Sequence, residues 1–134
     1  MGRTTNIIVY GKPRGKQRPR TISRGNKTWT YTPKATAEVE EMWIGSFLES
    51  GTPSYGDKPI KVTICAYFKR PKKCENKYSM TFPDYDNLAK LVTDALQGLA
   101  FDNDKQIVEA HIYKMYCAES ESARTEIEIV EKEE

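Results

Sequence analysis

The sequence predicts an α+β fold, a mixed sheet of about four strands with two packed helices, in one domain over residues 1–134. Three observations lead there. Apolar alternation at period two recurs in separate segments, most regularly at Ile60, Val62, Ile64, Ala66 and Phe68. Two other segments carry apolar residues at helical spacing. Finally, 134 residues at 38% hydrophobic content build one modest core, at a size where oligomerisation often adds burial.

Asn6 to Tyr10 is a β-branched run closed by Gly11 and reads as a strand. Lys12 to Lys27, rich in Gly, Pro, Arg and Lys, reads as an exposed basic loop, about 11–28 with its flanks. Thr28 to Thr32 alternates polar with aromatic residues and suits a short strand. Thr32 before Pro33 predicts an N-cap with proline in the first turn of helix one, which runs to Leu48. Its apolar positions are Val39, Met42, Trp43, Phe47 and Leu48. Residues 51–58 read as a connection, Ile60 to Phe68 as a strand and Lys69 to Lys77 as a second basic loop. Helix two is expected over Asp86 to Leu99, with Gly98 near its end. Strands follow at Gln106 to Tyr116 and Arg124 to Val130, and residues 131–134 form a short polar tail expected to fray.

The net charge of +2 hides an asymmetry: residues 1–37 hold nine Lys or Arg and no acid, leaving 12 basic and 19 acidic groups in the rest. Such a split points to a nucleic-acid contact arm. Cys65, Cys74 and Cys117 lack metal-site spacing, and His111 is the one histidine, which leaves little for a zinc site, and reduced thiols are expected. No run suits a signal peptide or a membrane span, which predicts a soluble cytoplasmic protein. No Ser-His or Cys-His pair suggests nucleophilic catalysis, and His111 reads as structural or surface.

On helix two, Leu88, Leu91, Val92, Ala95, Leu96 and Leu99 share one face, while Asp86, Lys90 and Asp94 follow at i, i+4 and i+8 on the other. One account is an acidic cap with an exposed ion-pair ladder, worth a few tenths of a kcal/mol per pair. Against it, Asp84 and Asp86 flank one residue, and paired carboxylates repel unless a cation sits between them. Asp102-Asn103-Asp104 adds acids one helix length downstream, before a strand that can return along the helix. Converging carboxylates suit a hard divalent cation such as Mg²⁺.

Pro83-Asp84-x-Asp86-Asn87-Leu88-x-Lys90, then Asp94-Ala95-Leu96-x-Gly98, then Asp104-x-Gln106-Ile107, resembles the RusA family of Holliday junction resolvases, whose signature reads P-D-x-D-N-L-x-K, D-A-L and D-D-x-Q-V. The match covers residues 83–109. The resemblance implies metal-binding catalytic roles for Asp84, Asp86 and Asp104, with Lys90 near the scissile phosphate. It also implies a homodimer acting on four-way junction DNA in recombination and repair, and a phage or prophage setting. Mg²⁺ is the expected ion, replaceable by Mn²⁺, with no organic cofactor and no membrane partner. Asn103 departs from the pattern, standing where the family has its first acid of a pair. Asn87, Asp94, Asp102 and Asn103 are expected to surround the site in supporting positions. Phosphate contacts are expected from Lys12, Arg14, Lys16, Arg18, Arg20, Arg24, Lys27, Lys72 and Lys73. Trp29, Tyr31 and Tyr85 are candidates to stack on exposed bases. Two rivals stay open: a non-catalytic DNA-binding module, and a less selective nuclease of flaps or forks.

Overall fold

The computed structural model describes residues 3–17, 20–31 and 33–133. Its main sheet holds β1 (Thr4–Tyr10), β4 (Ile60–Phe68), β5 (Ile107–Tyr116) and β6 (Arg124–Glu131) in the order β1-β6-β4-β5. β4 and β5 are parallel, while β6 runs antiparallel to both β1 and β4. The helices are α1 (Lys34–Ser50) and α2 (Tyr85–Leu96). This is the expected α+β architecture.

Alternation sends every second strand residue into one core. Ile7, Val9, Ile60, Val62, Ile64, Ile127 and Ile129 meet Leu88, Leu91, Val92 and Leu96 of α2 and Trp43 and Phe47 of α1. Leu88, Leu91 and Leu96 are fully buried, so truncating any one to Ala costs about 2–5 kcal/mol. The apolar face read on helix two is therefore the face that packs. Helix one is narrower than its pattern suggested: Trp43 and Phe47 are buried, whereas Met42 and Leu48 are exposed. Only the i,i+4 row facing α2 and β1 finds partners.

Several boundaries shift. The expected cap Thr32 lies outside the described residues, and Pro33 occupies the N-cap position rather than the first helical one. α2 stops at Leu96, where Gly98 at φ 84° turns the chain back and its N–H donates to Phe101 O. The segment expected as one basic loop contains a strand: β2 (Arg20–Arg24) pairs with β3 (Lys27–Tyr31) across a turn at Gly25, φ 60°. Its described side chains from Thr21 to Thr30 are all exposed. The tail is anchored rather than frayed through Lys132, whose N–H donates to Pro59 O and whose Nζ meets Glu109 at 2.8 Å; Glu134 lies outside the described residues. No helix is long and apolar enough to cross a membrane among the described residues.

β4, α2 and β5 form a parallel crossover, which fixes two ends of the molecule. At one end β1, β4 and β5 finish and α2 begins. At the other, β4 and β5 start and α2 ends.

Candidate active site and nucleic-acid cleft

Asp84 sits at the N-cap of α2 in extended conformation (φ −64°, ψ 153°), and Asp86 lies in the first turn. A carboxylate at the N-cap normally accepts from the first-turn N–H groups, worth about 0.5–2 kcal/mol. Asp84 makes no such bond. Its backbone carbonyl accepts from Leu88 N–H at 3.0 Å, but neither its carboxylate nor that of Asp86 has an ion-pair or hydrogen-bond partner among the described residues, and both residues are exposed. Capping therefore does not explain the pair. The helix dipole still favours negative charge here. Lys90 stands one turn beyond Asp86, exposed and without an ion-pair partner among the described residues.

The basic loop after β1 lies against this helix start. Lys16 N–H donates to Asn87 O at 2.8 Å, and Gly15 packs against Pro83 and Asn87. The result is a cleft lined by Lys12, Arg14, Lys16, Phe82, Asp84 and Asn87, among others. Lys16 has a further role: its ammonium reaches Glu40 of α1 at 2.9 Å and Asp94 of α2 at 3.6 Å. Asp94 thus pairs with Lys16 and helps seat the loop.

Other expected phosphate contacts lie outside this cleft lining. Arg24 and Lys27 flank the hairpin turn, where Trp29 is 45% exposed. Arg18 lies outside the described residues, as do the side chains of Arg20 and Tyr31. Lys72 and Lys73 are exposed on the loop leaving β4 at this end, but are not among the residues lining the Asp84 cleft. Arg70 of that loop turns inward, donating to Cys74 O and Asn76 O at 2.8 and 2.9 Å.

Asp104 is placed elsewhere. Its N–H donates to the Gln97 side-chain oxygen at 3.0 Å, just past the C-terminal end of α2. A capping box holds this turn: Asn103 Oδ1 accepts from Lys105 N–H at 3.0 Å and Asn103 N–H donates to Gln106 Oε1 at 2.9 Å. The Gln106 amide then donates to Gly56 O and Lys58 O at the start of β4. Asp102 N–H also donates to Gly56 O. The 12 residues of α2 amount to about 18 Å of helix between the two ends. Accordingly, among the described residues no three His, Cys, Asp or Glu side chains form a group able to hold a metal ion. The strand after Asp104 does return along α2, but it starts at the helix's far end. Asn103 has a structural task in place of an acid.

On the sheet face away from the helices, His111 bonds Glu109 at 2.7 Å, as a surface pair. Lys132 first, then His111, holds the Glu109 carboxyl down at about 2, from an ordinary 4.5. The three cysteines are free thiols, and burial beside Glu126 pushes the Cys65 thiol up.

Sequence reasoning missed Gly15, Gln97, Met80 and Phe82. The Lys12-Pro13-Arg14-Gly15-Lys16 run held a signal for Gly15, since glycine amid cations marks close backbone approach. Gln97 gave none.

The sequence profile of the family described as Endodeoxyribonuclease RusA matches residues 10–130. Uncharacterized protein YqaN of Bacillus subtilis (strain 168) is 29% identical over 138 residues, covering 93% of this chain and 94% of that one.

Proposed function

The chain belongs to the RusA endodeoxyribonuclease family, and from that premise we propose that it is a Mg²⁺-dependent nuclease resolving four-way DNA junctions as a homodimer. The observation that carries this reading is the pair Asp84 and Asp86, whose carboxylates have no partners among the described residues, beside a cleft lined by Lys12, Arg14 and Lys16. A carboxylate pair beside cations that can bind phosphate is suited to metal-assisted hydrolysis.

The donor set fits a hard cation, because Mg²⁺ is commonly held by one or two carboxylates together with substrate phosphates. Asp84 and Asp86 would hold it, and when bound the ion would supply Lewis-acid stabilisation and a more acidic water. Lys12 and Arg14 would seat the strand by its phosphates. Lys90, above Asp86, would offset charge gathering on the phosphoryl oxygens, where fixed positive charge counts most. Asn87 and the Lys16–Asp94 pair keep the basic loop on the helix start.

Asp104 enters this scheme through a second copy. Its position at the far end of α2, fixed by Gln97 and the capping box, supports a third carboxylate supplied across a two-fold axis. A C₂ dimer would then present two such composite sites, the symmetry paired cuts require. The test is a labelled four-way junction beside a linear duplex of the same arms, each with Mg²⁺, Mn²⁺ or chelator, and with Asp86→Asn protein. Symmetric nicks confined to the junction, lost with chelator and with the variant, are expected. Equal cutting of the duplex, or metal-independent cutting, would overturn the reading.

A further inference from the structure

Phe82 and Met80 are the two most exposed large apolar side chains among the described residues, at 83% and 92%. Tyr78 and Tyr85 extend the same stretch at 57% and 65%. Four large exposed apolar side chains within eight residues mark a candidate binding surface. The backbone that displays it is tied down. Tyr116 N–H donates to Lys77 O and Ser79 N–H to Lys114 O, each at 3.0 Å. Lys114 Nζ donates to Thr81 O at 2.6 Å, and the Ser79 and Thr81 hydroxyls meet at 2.9 Å. These side chains are held outward on a fixed segment.

Their surroundings indicate what covers them. Phe82 lines the same cleft as Lys12, Arg14, Lys16 and Asp84, and Lys77 Nζ lies 5.3 Å from the Tyr78 ring centre. The cores of protein–protein contacts are depleted of charge. Cations interleaved with aromatic groups are instead the pattern of surfaces that track a phosphate backbone and stack on its bases. Phe82 and Asp84 are two residues apart, at most about 7 Å along the chain, so one side chain reaches bases while the other reaches the adjoining phosphate.

We propose that Phe82, backed by Met80, is a wedge that enters between base pairs at the branch point and unstacks them beside the phosphate presented to Asp84. The proposal rests on the junction-nuclease reading. Apolar wedges elsewhere unstack a base step for a few kcal/mol, and at a branch point stacking is already interrupted. The wedge would make junctions, rather than continuous duplex, the favoured substrate.

The test uses full-length wild-type, Phe82→Ala, Phe82→Trp and Met80→Ala/Phe82→Ala proteins. Each is titrated in chelator onto a four-way junction with 2-aminopurine at the branch point. Wild-type protein should brighten the probe at saturation. Phe82→Ala and the double variant should lose at least about fivefold of that gain with little change in binding midpoint, and Phe82→Trp should restore it. In Mg²⁺, Phe82→Ala should nick the paired junction about tenfold more slowly, yet approach wild-type rates when the central pairs are mismatched. An unchanged probe signal in Phe82→Ala, or half the wild-type mass by sedimentation, would overturn the wedge; the latter assigns the surface to a second copy. Wild-type protein that neither binds nor nicks any junction would instead overturn the parent reading, and the wedge with it, in the wild-type samples alone.

Discussion

A Cβ built on Gly15 would stand 2.6 Å from the Cβ of Pro83, closer than side-chain atoms approach. The basic loop and the start of α2 therefore meet with no room for a side chain, and the proline ring cannot swing aside. Gly15→Ala should lift the loop off Asp84 while leaving the distant core intact. The expected outcome is nicking slowed on the order of 10- to 100-fold, with a thermal midpoint close to wild type. Wild-type nicking by Gly15→Ala would show that the contact does not position the cleft.

Asp86→Asn and Asp104→Asn homodimers should each lose about 100-fold or more in nicking rate. Mixed and allowed to exchange subunits, they should recover roughly a quarter of the wild-type sites, because half the dimers are mixed and each carries one whole site. Those dimers should nick one strand without completing resolution. Mn²⁺ binding, followed by electron paramagnetic resonance, should return in the same mixture. If neither nicking nor Mn²⁺ binding returns, all three acids serve within one chain.

Junction binding should weaken steeply with salt. Removing Arg24 and Lys27 together, at the paired positions beside the hairpin turn, should lower the slope of log K against log salt by roughly two. A slope equal to wild type would place the hairpin away from DNA.

Glu109 sets a pH dependence. Its folded carboxyl is lowered from 4.5 to about 2 by Lys132 and His111. The linked stability is thus present above the unfolded value and lost as pH falls from about 4.5 towards 2. Glu109→Gln should melt below wild type at pH 6, and the gap should close by pH 2. Because the group is exposed, salt should narrow the difference at pH 6. A gap independent of pH would assign the effect to packing.

Much of the fold was legible because periodicity reports burial. Ile60 to Phe68 reads as the strand it is, and Leu88 to Leu96 as a packed helical face. Helix ends were harder, since Gly98 ends α2 through a turn that closes on Phe101, a tertiary contact. β3 was legible from the polar–aromatic alternation at Thr28 to Thr32, but its partner Arg20–Arg24 was hidden, because its described side chains bury no face and its sequence gives no alternation signal. The motif named Asp84, Asp86 and Asp104 together, but spacing along a chain does not tell which end of a helix a returning strand meets. That depended on Gln97, whose one amide oxygen anchors Asp104.

The helix length between Asp86 and Asp104 has a consequence for the living cell. With the third carboxylate contributed by a second copy, as proposed, a lone protomer carries an incomplete blade. Cutting power would then rise with the square of protein concentration at low abundance. Such a nuclease would stay harmless until enough copies accumulate, a dose threshold built from the length of one α-helix.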